Sequence, residues 1–334
     1  MSSTSRIFGY DLLKALTMIG IVFYHLHSIA FDGVPADGST YYPGVGKFFY
    51  GLLSAGVPMF YMVNGAIVGL KNPPLRKCLK TAGRLTALSI FWTLIFKWCL
   101  FPWLLDEPRT FNLGQLWEHY WFFYTFSFVY LFTWLLNRVT WLRWLVIGSL
   151  VIFPFLTNQA WDLILYFSPH TSFPSWGHSG AMTLYTIVYY YMGRSMANLH
   201  VARWIACLSL FAGLLLVNFK VYVMTNAMGE VFDSVSSCLP TVGAMLVNSG
   251  FFLLLKDVNP NPANPISRFL SFIGQRTLGV YLFHLFFVKF VLLYGWGYQD
   301  QNPLLVMVVA LSITWICAVL WRWCSSVMLK NINY

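Results

Sequence analysis

Charge is what this sequence has least of. Only 10% of its 334 residues are Asp, Glu, Lys or Arg, against about one quarter in an ordinary soluble domain. Apolar and aromatic residues make up 58%, and the mean hydropathy is strongly positive. A soluble core cannot hide that much apolar surface, but lipid can. Internal repeats and low-complexity tracts are absent. So is a cleavable signal peptide. The first apolar segment, Phe8 to Ala30, is too long for a signal h-region and lacks a small-residue cleavage pattern, so it reads as a retained signal-anchor helix. The six cysteines (Cys78, Cys99, Cys207, Cys238, Cys317, Cys324) have no metal-ligand spacing, and most lie in apolar runs. They read as small core hydrophobes, and neither a disulfide framework nor a metal site is expected. The net charge of +10 does not point to nucleic acid, because the basic residues sit in short loops rather than along one solvated stripe.

What is present is a succession of apolar segments. A spanning helix needs roughly 20 apolar residues, so about ten helices would use about 200. Spans are expected at about 8–30, 46–70, 83–104, 116–136, 142–157, 181–198, 202–219, 239–255, 269–293 and 303–324. The fifth and eighth are short and carry Pro154 and Pro240. The expected fold class is all-α, a polytopic transmembrane helical bundle of about ten helices with both termini cytoplasmic. It would form a single integral membrane domain over residues 1–334, with no fused soluble domain, multi-pass in the cell (inner) membrane.

The charges test this map independently, because cytoplasmic loops carry the Lys and Arg excess. Lys71, Arg76, Lys77, Lys80 and Arg84 follow the second span; Arg138 and Arg143 follow the fourth; Arg194 and Arg203 follow the sixth. Lys256, Arg268 and Arg276 follow the eighth, and Arg6, Arg322 and Lys330 mark the termini. The intervening loops hold only Arg109 and Lys220, together with most of the acids, including Asp32, Asp106, Asp162, Glu230 and Asp300. Trp, Tyr and Phe make up 19% of the chain, many of them near span ends, as an aromatic belt requires.

Ionisable groups at membrane depth are expensive and mark function. Asp11 and Lys14 lie one turn apart in the first span, and His25 lies eleven residues past Lys14. Eleven steps of about 100° end roughly 20° from eclipsed, so Lys14 and His25 share a face about 16 Å apart along the axis. Asp11 falls within about 40° of His25. The plain structural alternative is a local Asp11–Lys14 pair with His25 capped by a neighbouring helix. The second span ends in Val57-Pro58-Met59-Phe60-Tyr61-Met62-Val63-Asn64-Gly65, where a packing kink competes with a functional role. The fourth opens on Glu118-His119-Tyr120-Trp121-Phe122 at the outer interface. The ninth carries Gly279-Val280-Tyr281-Leu282-Phe283-His284; a lone buried histidine there is often only a satisfied structural residue.

Together these segments resemble the membrane-bound acyltransferase family 3. In that family a basic residue in the first helix is followed, after ten intervening residues, by His, as Lys14 and His25 are here. A Val-Pro-Phe-Phe stretch ending in Ser-Gly is matched loosely by Val57 to Gly65, the spaced arginines after the second helix by Arg76 and Arg84, and a late Gly-x-Tyr-x-x-His by Gly279 to His284. Glu118 to Phe122 is similar to the His-x-Trp-Phe segment of the family's stand-alone polysaccharide and enterobacterial-antigen acetyltransferases. Asn64 stands in place of the usual Ser and Lys14 where Arg is common; the Trp-Ser-Leu-x-x-Glu form of the fourth span is missing.

The resemblance implies a bacterial cell-envelope O-acyltransferase. It would move an acyl group, usually acetyl, from cytoplasmic acyl-CoA to a hydroxyl of a glycan or lipid-linked saccharide. His25 would be general base or transient acyl carrier, with Lys14 and Asp11 beside it. Arg76, Arg84 and Arg276 would meet the CoA phosphates. Asn64, Glu118, His119, Trp121, Tyr281 and His284 would line the acceptor side. Acetyl-CoA would be the co-substrate; the other partners would be the saccharide, membrane lipids and, in one arrangement, a second copy of the chain, with no nucleic acid. A polytopic transporter or flippase is the rival function. It would show an internal repeat between corresponding halves, and the sequence has none.

Reporter fusions test the charge map directly. Fusions at Ala36, Ala160 and Tyr298 should report outside and those at Lys77 and Asn264 inside; two or more reversed signals would sink the ten-span arrangement.

Overall fold

The computed structural model describes residues 7–31, 56–100, 102, 113–168, 181–228, 240–261, 263–294 and 303–328. Among them every regular element is helical. The α-helices are α1 (Phe8–Phe31), α2 (Gly56–Ile67), α3 (Leu75–Leu94), α4 (Leu113–Leu136), α5 (Thr140–Leu150) and α6 (Thr157–Phe167). They continue with α7 (Ala181–Met196), α8 (Arg203–Met228), α9 (Val242–Leu255), α10 (Pro265–Gly274), α11 (Thr277–Tyr294) and α12 (Pro303–Met328). π-helical segments extend α3 over Ile95–Leu100 and join α5 to α6 over Val151–Leu156. The segments Arg203–Met224 and Leu304–Ser326 are long and apolar enough to cross a bilayer. Large apolar side chains such as Trp141, Phe153 and Leu304 are exposed, which suits a lipid surround better than water.

The chain divides into two compact units. The first holds residues 1–31, 92–111 and 255–334; the second holds 32–91 and 112–254. In the first, α1 packs on α10, α11 and α12, and α11 on α12. Ala15, Ile19 and Ile273 form a buried apolar knot against Phe269, Leu270, Met307 and Leu311. Its tightest point is Gly274: a Cβ there would lie 2.1 Å from the main-chain oxygen of Asp11. Only glycine lets the two backbones come that close.

In the second unit the α2–α7 pair is the most intimate contact. It too is glycine-made, since a Cβ on Gly65 would meet the Tyr190 carbonyl at 1.8 Å and one on Gly193 the Met62 carbonyl at 1.9 Å. Tyr61 stacks on Phe126 at 4.3 Å between ring centres and hydrogen-bonds Thr125, tying α2 to α4. Ser127 of α4 donates to the Ala82 carbonyl of α3 at 3.0 Å.

Helices replace several expected loops. The basic stretch after the second span is not a loop: Pro73 and Pro74 precede α3, and Arg76, Lys77, Lys80 and Arg84 ride exposed on its first turns. A proline just before a helix loses no hydrogen bond, and its φ is already set. Asn72, at φ 41°, ends the short turn before it in the left-handed region, where Asn is tolerated. The expected ninth span is two helices. Asn264 caps α10 by accepting from the Ile266 amide at 2.8 Å, and the chain breaks at Gln275–Arg276 before α11.

The fifth span runs on well past its expected end. Pro154, which lacks an amide donor, falls in a π-helical turn that absorbs it, and helix continues to Phe167. Asp162 and Lys220, expected in outer loops, therefore lie in α6 and α8. Both are buried, with Lys220 Nζ 2.7 Å from Asp162 Oδ1. Each carries the other's countercharge, so the helices extend through them. Lys256 does lie in the turn after α9, but buried against Asp257 at 2.6 Å rather than solvated.

Breaking a buried pair from one side strands the other charge, at about 3–5 kcal/mol. Lys220→Met alone should therefore lower the thermal midpoint and folded yield in detergent, and adding Asp162→Asn should recover most of the loss. A single variant as stable as the wild type would mean that the pair is not buried.

Candidate active site

The sequence-nominated residues fall into two groups, one in each unit. Asp11, Lys14, His25, Arg276, Tyr281 and His284 belong to the first; Asn64, Arg76, Arg84, Glu118, His119 and Trp121 belong to the second.

In the first unit, α1 carries Asp11, Lys14 and His25 on one face, as its periodicity requires. Asp11 is buried, and Lys14 Nζ lies 2.9 Å from its Oδ1. This is the local i,i+3 pair that the plain structural alternative expects. Lys14 and His25 share a face without touching, since about 16 Å of helix separates them.

His25 meets a partner from another helix. Its ring centre lies 5.3 Å from that of His284 on α11, with the planes at 41°. Tyr24 packs edge-on against His25 at 5.3 Å, and Tyr281 against His284 at 5.4 Å. His25 is half-buried and His284 buried at 1% exposure, so of the two His25 is the ring a substrate can reach. His284 Nδ1 lies 2.9 Å from the Tyr281 carbonyl and 3.2 Å from that of Val280. Its Nε2 has no hydrogen-bond partner among the described residues.

An aromatic wall flanks α11 here. Trp92 meets Phe283 at 4.9 Å, and Phe96 meets Phe283 at 6.3 Å and Phe286 at 6.0 Å. Phe96 belongs to the π-helical segment Ile95–Leu100, which shifts its register relative to a plain α-helix. Nothing in the sequence flags this, since a π turn has no compositional signature. Arg276 caps its own helix region: it donates to the Phe272 carbonyl at 3.0 Å, and its guanidinium lies 3.9 Å from the Phe272 ring centre.

In the second unit, Arg76 and Arg84 are exposed on α3 and available to an anion. Asn64 is engaged within the protein, its Oδ1 accepting from the Tyr130 hydroxyl at 3.0 Å. A similar knot ties α4 to α7, where Asn137 accepts from Tyr191 at 2.9 Å and from Arg194. Glu118, His119 and Trp121 lie on the backbone of α4, but their side chains are outside the described residues. Among the described residues no group of three or more His, Cys, Asp or Glu is placed to hold a metal.

No curated protein matches the chain. The family model described as an acyltransferase domain (Acyl_transf_3) matches residues 7–322, which takes in α1 and α11 with both histidines and nearly all of α12. The pair of imidazoles just described, one half-buried and one buried, thus lies within a chain that belongs to acyltransferase family 3.

Proposed function

We propose that the protein transfers an acyl group, acetyl in the simplest case, from cytoplasmic acyl-CoA to a hydroxyl of a cell-surface glycan or lipid-linked saccharide. The observation that carries this is the meeting of His25 with His284 inside an acyltransferase-family chain. The chemistry asks for a base within reach of a hydroxyl, and half-buried His25 meets that need better than fully buried His284. The acceptor oxygen attacks the thioester carbonyl carbon as its proton passes to the bare nitrogen of His25. The carbon–sulfur bond then breaks, and the His25 imidazolium returns the proton to the sulfur. An ester and free CoA thiol result.

Lys14 is suited to a different task. As an ammonium paired with Asp11 it has no lone pair, so it serves as a fixed positive group along the donor's path rather than as a base. Exposed Arg76 and Arg84 are suited to the CoA phosphates. Arg276, folded over Phe272, offers the phosphates only the edge of its guanidinium. In this proposal the chain spans the cell membrane about ten times with both ends in the cytoplasm, and the acceptor hydroxyl meets His25 beside Tyr281.

Two measurements decide the proposal. His25→Ala, His25→Asn and His25→Gln should each lose about 10²–10⁴-fold in transfer rate per folded protein, because amides keep hydrogen bonds but supply no base. Substantial activity in His25→Gln would make His25 structural. Arg84→Ala should weaken acetyl-CoA binding in calorimetry by about tenfold or less, since an exposed contact is screened. Unchanged affinity would remove Arg84 from the donor site.

A further inference from the structure

The proton on His284 can be placed from its neighbours. Nδ1 lies within hydrogen-bond distance of two main-chain carbonyls, 2.9 Å from that of Tyr281 and 3.2 Å from that of Val280. A carbonyl oxygen only accepts, so Nδ1 carries the hydrogen. A neutral imidazole has one N–H, which leaves Nε2 as a bare lone pair. The doubly protonated ring would be a buried cation, and no carboxylate among the described residues pairs with it, which makes that form costly. His284 is therefore an obligate acceptor at Nε2. It cannot pass a proton through to the other side of its ring, because Nδ1–H is held by the helix's own carbonyls.

That acceptor is unused within the protein. Among the described residues of its unit, Nε2 of His284 is the one buried side-chain nitrogen or oxygen without a partner. Native structures rarely leave such a group idle, and exceptions point to function. The nearest ring is His25, 5.3 Å away between centres and tilted by 41°. Two imidazoles joined edge to edge by an N–H···N bond of about 2.9 Å have centres roughly 5 Å apart, once about 1.1 Å from each centre to its nitrogen is added. The spacing leaves room for such an edge contact, and turning His25 about χ2, a broad and soft torsion, would bring the nitrogens into line. Catalytic hydrogen bonds are often loose before substrate arrives and tighten afterwards.

We propose that His284 is the positioning residue of the acyl-transfer site, its Nε2 accepting the N–H of His25 and so fixing the other His25 nitrogen as the lone pair that meets the acceptor hydroxyl. This rests on His25 being the base. When that nitrogen takes the hydroxyl proton, the resulting imidazolium keeps its hydrogen bond to Nε2, and no proton leaves His25 toward His284. The arrangement does the orienting work of the acid in a nucleophile–histidine–acid triad, but with a neutral partner, which avoids burying an anion among Phe283, Tyr281 and the helix carbonyls.

Three variants of the full chain in nanodiscs test it, with kcat and KM measured per folded protein. His284→Gln can place Oε1 near the Nε2 position and keep an acceptor there; His284→Asn reaches only the Nδ1 position; His284→Phe fills the space with no acceptor. Gln should stay within about tenfold of wild type, while Asn and Phe should lose about 10²-fold or more in kcat with both KM values unchanged. Nitrogen NMR of ¹⁵N-histidine-labelled protein, without substrate, gives a readout independent of activity. His284 should show a protonated Nδ1 and a bare Nε2, and His25 should be held in one tautomer that becomes mixed in the Asn variant. Equal kcat in all three variants would overturn the proposal. So would a rise in acceptor KM alone, which would place a substrate hydroxyl on Nε2, or a His25 tautomer indifferent to position 284. Failure of the base assignment itself is read separately, from activity retained in His25→Gln.

Discussion

Helix α1 lies so close to the α10–α11 segment that nothing larger than hydrogen fits at Gly274, where a Cβ would be 2.1 Å from the Asp11 oxygen. Lipid supplies no hydrophobic drive between helices, so such associations depend on close packing and on polar contacts within the interface. The glycine contact sets the height of α1 against its neighbours, and two consequences follow along the same face. Asp11 is pressed into the packed interior, where it must have a countercharge, and Lys14 one turn on supplies it. Farther along, His25 arrives opposite His284 rather than a turn above or below it. A shift of one turn, about 5.4 Å, would separate the rings and leave the face with no shared centre.

Burial away from solvent makes a polar group without a partner costly. Asp162 takes Lys220, Asn64 takes the Tyr130 hydroxyl, Lys256 takes Asp257, and Asn137 takes Tyr191 and Arg194. These contacts are structural in the plain sense: both sides are satisfied inside the protein. His284 differs because half of it is satisfied and half is not. Its Nδ1 is pinned by carbonyls one turn back on its own helix, which fixes the ring, and its centre lies 5.3 Å from that of the half-buried imidazole of α1.

Much of this was legible before any coordinates. Charge scarcity and apolar runs give an all-helical chain, and a 100° step places Asp11, Lys14 and His25 on one face. The bounds of α1, α4, α7 and α12 follow the apolar pattern within a few residues. What a linear pattern cannot show is compensation at a distance. Asp162 and Lys220 read as loop residues because each looks costly alone; only their mutual approach lets α6 and α8 run through them. Arg76 and Arg84 read as loop cations from the alternation of charge along the chain, yet a helix already begins at Leu75. Asn64 is a candidate only through the resemblance, where it stands in place of the usual Ser, and it is held by Tyr130, which the sequence places 66 residues away. The His25–His284 contact is beyond the reach of periodicity, because it joins two helices from opposite ends of the chain.

The two ends of the α1 face are suited to opposite work. At one end Lys14 is committed to Asp11, so its charge is fixed and its nitrogen has no lone pair to offer. It can attract an anionic or polarised group but cannot take a proton. At the other end the buried ring of His284 keeps one nitrogen without a hydrogen-bond partner among the described residues, close to the ring of His25. A thioester donor needs the first kind of group along its phosphate-bearing arm, and a hydroxyl acceptor needs the second at the reacting carbon. One helix of 24 residues keeps the two apart by about 16 Å, far enough that in the proposed reaction the ammonium would neither strongly repel an imidazolium at His25 nor take its place. In the proposed reaction the same helix, packed tightly at Gly274, would present a fixed cation to one substrate and a base to the other.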